Sequence, residues 1–257
     1  MAIDDESFDI LIAAVQRFVP ERLIPAEDEV EASDEVPAAV VGDMKAMGLF
    51  GLSSPEEYGG IGLSMLQECR VACEVGPASL AFRSTFGTNV GIGSQGILID
   101  GTEAQKREYL PRVASGELIM SFALTEPDAG SDSAAIKTRG ELVKGGDGDD
   151  YLLSGNKRFI TNASRAGAFT LMARTDGPGA GGIGAFIVPA GLPGVEPGQA
   201  RQEDGPARHQ DLRRVARPGA CAGGQHHRRR ARARLQDRDE GARPRPAAHL
   251  GGGLRHA

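Results

Sequence analysis

Histidine is absent from the first 198 residues, and tryptophan from all 257. Without histidine, that long segment can hold neither a Ser-His-Asp triad nor a histidine-ligated metal. Three cysteines are too few for a disulfide framework. No stretch approaches the roughly 18 consecutive apolar residues of a membrane span. The opening "MAIDDESFDI" is acidic and has no basic segment ahead of an apolar run, so no secretory leader is expected and the expected compartment is the cytoplasm.

Lysine is missing as well, but only from the end of the chain. Residues 199–257 hold 14 Arg against 6 Asp and Glu, a local balance of +8, whereas the whole chain carries −6, which leaves −14 for the rest. The same stretch contains no Ser, Thr, Asn, Ile, Met, Phe or Tyr. Every residue in it except Cys221 has a codon beginning with G or C. Folding imposes no such rule, whereas a GC-rich gene read one base out of phase does. Shifted back, Gln199 through Gly205 permit K-P-D-K-K-M-G, an ordinary charged loop. We read residues 199–257 as an out-of-frame, disordered tail with the slip near Gly198–Gln199. The alternative is an Arg-rich arm that binds nucleic acid through phosphate contacts. Charge favours such an arm, but nothing in phosphate binding excludes Lys, Ser and Thr together.

The body reads as helices followed by strands. Phe8, Leu11, Ile12, Val15 and Phe18 recur at helical spacing, with Pro20 and Pro25 expected to end the segment. "VPAAVVGDMKAMGLFGL" predicts a helix stopping near Gly48. "LSMLQECRVACEVG" predicts another, capped by Ser64. "SLAFRSTFGTNVGIGSQGILI" is helical in pattern but interrupted by glycines. In "GTEAQKREYLP", Thr102 and Gln105 have the spacing of a capping box, and Pro111 follows. After about residue 118 the period turns strand-like in "LIMSFAL", "DYLLSG", "KRFIT", "AFTLMAR" and "IGAFIVP", separated by turn clusters. Helices then strands, without alternation, argue for an α+β fold: an N-terminal helical domain over 1–117 and an antiparallel β-domain over 118–198.

Three further patterns are weak. Gly91, Gly93 and Gly96 spell G-x-G-x-x-G, but pyrophosphate binding needs a strand before that motif, and a helix precedes it here, so close packing is the expectation. Cys69 and Cys73 share a helical face without further ligands, and are expected to be small buried residues. "KGGDGDDY" lacks the spacing of a calcium loop and reads as a hairpin turn.

The most specific segment is "ALTEPDAGSDSAA", Ala123 to Ala135. Thr125, Gly130, Ser131 and Asp132 lie on a tight turn after a strand, where amides and hydroxyls can meet a polar cofactor edge. By itself this is also an ordinary polar turn. Together with "GSQGILIDGTEAQKREYLPRVASGELIMSF" before it and "YLLSGNKRFITNASRAGAFTLMART" after it, the segment resembles the acyl-CoA dehydrogenase signature. The resemblance covers nearly all of residues 1–198.

That resemblance implies a helical domain, a middle β-domain and a C-terminal four-helix bundle, with FAD held between the last two in a homo-oligomer. It implies that Phe122, Ala123, Leu124 and Thr125 line the flavin, and that Ser131 lies where cofactor and acyl-CoA meet. Phe159, Ile160 and Thr161 of "RFITN" match the segment against the isoalloxazine; Phe159 stands where many members carry Trp. The implied reaction is α,β-dehydrogenation of an acyl-CoA thioester, with electrons passed to an electron-transfer flavoprotein. The related acyl-CoA oxidases share these features. The implied catalytic Glu belongs to the bundle, beyond the matching part of this chain, so no catalytic residue is assigned, and Glu126 does not match that base. As written, the 257-residue chain is expected to be an inactive fragment with an exposed sheet edge.

Overall fold

A computed structural model describes residues 3–145, 148–200 and 209–213. Helix α1, Asp5–Phe18, starts where the Asp4 carboxylate accepts the Ser7 amide at 2.8 Å. Phe8, Ile12, Val15 and Phe18 are buried along one face and Leu11 flanks them, as the spacing predicts. The two prolines do not end the helical run. A π-turn over Val19–Leu23 and a 3-10 turn over Ile24–Ala26 lead directly into α2, Glu27–Ser33. Pro20 and Pro25 each sit in the first turn of a new segment, where a missing N–H costs little.

Helix α3, Ala38–Ala46, closes at Gly48, whose φ of 74° suits a residue without Cβ. Helix α4, Met65–Val75, begins with a capping box formed by Ser64 and Gln67. Val71 and Val75 take its buried face, which leaves Cys69 and Cys73 exposed, contrary to the expectation that they are buried. The glycine-interrupted stretch splits into α5, Leu80–Val90, and α6, Gln95–Asp100. Helix α7, Glu103–Ala114, has the predicted Thr102–Gln105 capping box. It runs through Pro111 rather than stopping there, because Leu110, Val113 and Ala114 anchor its last turn in the core.

Strands follow: β1 Met120–Ala123, β2 Arg139–Gly145, β3 Gly148–Ser154, β4 Asn156–Thr161, β5 Ala168–Arg174, β6 Ile183–Pro189, β7 Pro197–Ala200 and β8 His209–Arg213. The larger sheet is mixed rather than wholly antiparallel. β6 runs antiparallel along all of β5, while β1 pairs parallel with Ala168–Leu171 and β2 meets Arg174. The chain between β1 and β5 is long enough for the crossover that a parallel pair requires. β2 and β3 form a hairpin whose Gly145 and Gly148 face each other, which agrees with the turn expected at "KGGDGDDY".

The smaller sheet runs β4-β8-β7. Two of its strands fall in the stretch read as an out-of-frame tail: the end of β7 at Gln199–Ala200, and β8. The remaining tail positions, 201–208 and 214–257, lie outside the described residues. Strand pairing uses backbone groups that every non-proline residue supplies, so it needs no particular side-chain pattern.

The helices bury Val15, Leu23, Met44, Phe50, Phe82 and Phe86 in one core, and the strands bury Tyr151, Leu153, Phe169, Leu171 and Phe186 in another. An apolar cluster of Ile97, Leu110 and Val113 with Met120 and Ala168 joins the two, and polar contacts reinforce it. The fully buried Asn89 of α5 donates to the Val113 and Leu118 carbonyls and accepts the Met120 amide. Thr170 of β5 donates to the Gly93 carbonyl at 2.6 Å. The second glycine of the G-x-G-x-x-G is thus a packing residue: a Cβ there would lie 2.6 Å from the Thr88 oxygen and 2.8 Å from that of Met120.

Candidate cofactor-binding site

Strand β1 ends where its residues begin to alternate between core and accessible surface. Ala123 is fully buried in the β-core, whereas Phe122, Leu124 and Thr125 are half-buried. The chain then turns tightly: the Glu126 amide donates to the Ala129 oxygen at 2.8 Å, and the exposed Gly130, Ser131 and Asp132 follow. A Cβ placed on Gly130 would meet nothing within 4 Å, so the space beside the turn is open.

Strand β4 comes to the same place with its pleat broken. Lys157 pairs with Leu212 and Ile160 with Gln210, so three steps along β4 match two along β8. The extra residue lies at Arg158–Phe159, and Phe159 has a φ of 58°, uncommon for a bulky side chain. This bulge re-aims the side chains. Lys157 and Ile160 both point inward, while the Phe159 ring stands 42% exposed with the Arg158 guanidinium 4.6 Å from its centroid. Thr161 is half-buried. Asn162, at φ 61°, donates to the Ser84 carbonyl and the Thr88 hydroxyl of α5, fixing the strand's end against the helices.

Side by side, the two segments are cross-linked. The Arg158 amide donates to the Thr125 carbonyl at 2.8 Å, and the Ser121 hydroxyl to the Thr161 carbonyl at 2.7 Å. The Lys157 ammonium donates to the Leu124 carbonyl at 2.9 Å and to the Glu126 carboxylate at 2.8 Å. Lys157 and Glu126 are both buried. Burial disfavours the Glu126 anion, but Lys157, the Thr138 hydroxyl and the amides of Lys137 and Thr138 outweigh it and hold the carboxyl below its usual range. All of its strong partners are internal, which suits a fixed counter-ion rather than a proton-abstracting base.

Of the eight positions singled out from the sequence, the fold brings seven together on β1, β4 and the start of the turn, with Ser131 exposed farther along that turn. Ala123 and Ile160 put their side chains into the core and offer only backbone to a ligand. Phe122, Leu124, Thr125, Phe159 and Thr161 remain at least partly accessible. Sequence reasoning missed Lys157 as Glu126's partner and Asn89 as an anchor for β1. Neither carries a local signal, since Lys157 stands between Asn156 and Arg158, Asn89 lies in a glycine-rich run, and the partners lie 31 residues apart in both cases.

The residues present fit a flavin. An exposed aromatic ring and half-buried apolar side chains offer a flat contact, beside hydroxyls and amides on a turn. Among the described residues no helix is long and apolar enough to cross a membrane.

Comparisons with known proteins agree with this architecture. The model of the acyl-CoA dehydrogenase N-terminal domain matches residues 5–117, and that of the middle domain residues 121–213. The very long-chain specific acyl-CoA dehydrogenase of Macaca fascicularis is 40% identical over 202 residues, covering 76% of this chain and 30% of that protein. The (2S)-methylsuccinyl-CoA dehydrogenase of Cereibacter sphaeroides is 40% identical over 173 residues, covering 67% of this chain and 31% of its own length. An acyl-CoA dehydrogenase from Bacillus anthracis, solved with FAD, superposes with a TM-score of 0.69 at 32% identity, covering 83% of this chain and 36% of that one. This chain therefore spans less than half the length of these relatives. With helices, strands and the turn between them all matched in order, the chain belongs to the acyl-CoA dehydrogenase family.

Proposed function

We propose that this chain carries the N-terminal and middle parts of an FAD-dependent acyl-CoA dehydrogenase, and that β1, its following turn and the end of β4 form one wall of the flavin site. The observation that carries this reading is the cross-linking of two segments, 33 residues apart in sequence, around the outward-facing Phe159 ring. FAD, when bound, supplies the hydride-accepting chemistry of an α,β-dehydrogenation. The chain's part is to bind and orient. Phe122, Leu124 and Phe159 offer apolar contact, Thr125 and Thr161 offer hydroxyls, and the backbones of Ala123 and Ile160 keep the spacing. Ser131, exposed on the turn, would meet both cofactor and acyl-CoA, as the resemblance implies. The α-proton, acidified by the thioester, would fall to the carboxylate that the family resemblance assigns to the C-terminal bundle, while Glu126 stays engaged by Lys157 and Thr138.

The proposal extends to an electron-transfer flavoprotein as electron acceptor and to a homo-oligomeric assembly. It assigns residues 199–257 no nucleic-acid role. Exposed free Cys69 and Cys73 fit a reducing cytoplasm.

The test is an FAD titration of the 257-residue chain beside a version with the reading frame restored near codon 199. Both are expected to bind FAD, the second to purify yellow and to oxidise acyl-CoA, the first to show no turnover. Phe159→Ala is expected to weaken FAD binding in both by about tenfold, the size of one lost aromatic contact. A colourless, inactive restored protein overturns the flavin reading. Turnover by the 257-residue chain overturns the fragment reading.

A further inference from the structure

Lys157 and Glu126 offer almost no surface of their own to a ligand, since both side chains are buried. Yet nearly every contact they make is to the framework of the site. Lys157 holds the Leu124 carbonyl, and because the peptide is planar this also turns the Thr125 N–H to the side away from Lys157. Glu126 gathers the amides of Lys137 and Thr138 and the Thr138 hydroxyl, which draws the far end of the turn back against its start. Lys157 is also the residue just before the β4 bulge, so its inward anchoring fixes the position from which the bulge departs and at which it presents Phe159. A carboxylate and an ammonium are costly to bury, and a hydrophobic pair of similar volume would fill the space as well.

We propose that the buried Glu126–Lys157 pair is a positioning device that fixes the spacing between the turn after β1 and the bulge of β4, and hence the width of the flavin wall. The proposal rests on the flavin reading above. Neither residue is catalytic; both act through Leu124, Thr125 and Phe159.

The absence of tryptophan provides the reporter. In the full 257-residue chain, Phe159→Trp introduces a single indole at the bulge. Into that background go the double variant Glu126→Gln/Lys157→Met and, separately, Thr138→Val, which removes one hydroxyl from Glu126 and leaves the charges paired. The readouts are the circular-dichroism melt, iodide quenching of the indole, and FAD affinity from quenching of the same emission. The double variant is expected to keep a cooperative melt, because both charges leave together. Its iodide quenching constant is expected to rise about twofold and its Kd for FAD about tenfold, the scale of losing a supporting contact behind a binding site.

A folded double variant with unchanged quenching and unchanged FAD affinity overturns the proposal, since a purely structural pair would alter only the melt. If the double variant lacks a cooperative melt, Thr138→Val decides: a rise in iodide quenching upholds positioning, and no change refutes it. If the parent emission does not respond to FAD at all, the flavin reading fails, while the iodide comparison still decides whether the pair sets the position of residue 159.

Discussion

At the scale of single residues, Glu126 shows how position in the fold overrides residue type. Residue type alone would allow a base, the resemblance already points elsewhere, and its partners hold the carboxylate internal and engaged. Because its folded pKa lies below the ordinary 4.5, its stabilising contribution is complete above that value and is lost as the pH falls below it. The melting temperature should therefore drop steeply in acid below about pH 4.5, and less steeply in Glu126→Gln/Lys157→Met, as pH-dependent calorimetry would show. Removing the ammonium alone, with Lys157→Met, should cost about 3–5 kcal/mol in urea unfolding by leaving a buried unpaired anion. Asn162 allows a sharper separation. Both Asn162→Gly and Asn162→Ala lose the bonds to α5, but only alanine also pays for the left-handed backbone. The alanine variant should be less stable than the glycine variant by about 1 kcal/mol in the same assay.

At the scale of elements, the helices with explicit start signals were legible and the strands only partly so. The boxes at Thr102 and Ser64 mark their helices because the capping atoms are three residues apart and need nothing from elsewhere. Thr102→Ala should cost about 1 kcal/mol by urea denaturation. By contrast, β2 lies within "RGELVKG", where Glu141, Leu142 and Val143 are all exposed, so no alternation of apolar and polar residues announces it. The prolines misled for a related reason. Their effect depends on whether they open a turn or interrupt one, and at Pro111 packing of the flanking residues outweighs the missing hydrogen bond. The glycines of the false dinucleotide motif have a steric role that their spacing does not reveal. Gly93→Ala should cost about 1–3 kcal/mol, measured in the same way, because the new methyl meets two carbonyl oxygens.

At the scale of the whole molecule, the two cores are joined by buried polar contacts rather than by a greasy seam alone. Asn89, Thr170 and Asn162 each tie a strand to α5 or to the turn after it. Breaking such contacts leaves buried groups unsatisfied, so the helical and β parts should unfold together. A single transition, coincident at wavelengths dominated by helix and by strand, is the expected result; two separated transitions would show that the parts are independent. This coupling also bears on the site, since the end of β4 is held by the helices and the start of β1 by Asn89.

The amino-acid sequence alone determined the order of helices then strands, the capped helix starts, the apolar face of α1 and the family signature. All of these depend on residues close together in the chain or on a recognisable run of them. Only the tertiary structure decided that Ala123 and Ile160 face inward while Phe159 faces out, that Glu126 is neutralised by Lys157, and that Gly93 and Asn89 seat β1. Each of those depends on where two distant segments meet, and the pairing of β4 with β8 sets the bulge that turns the ring outward. Local spacing carries no record of such a meeting.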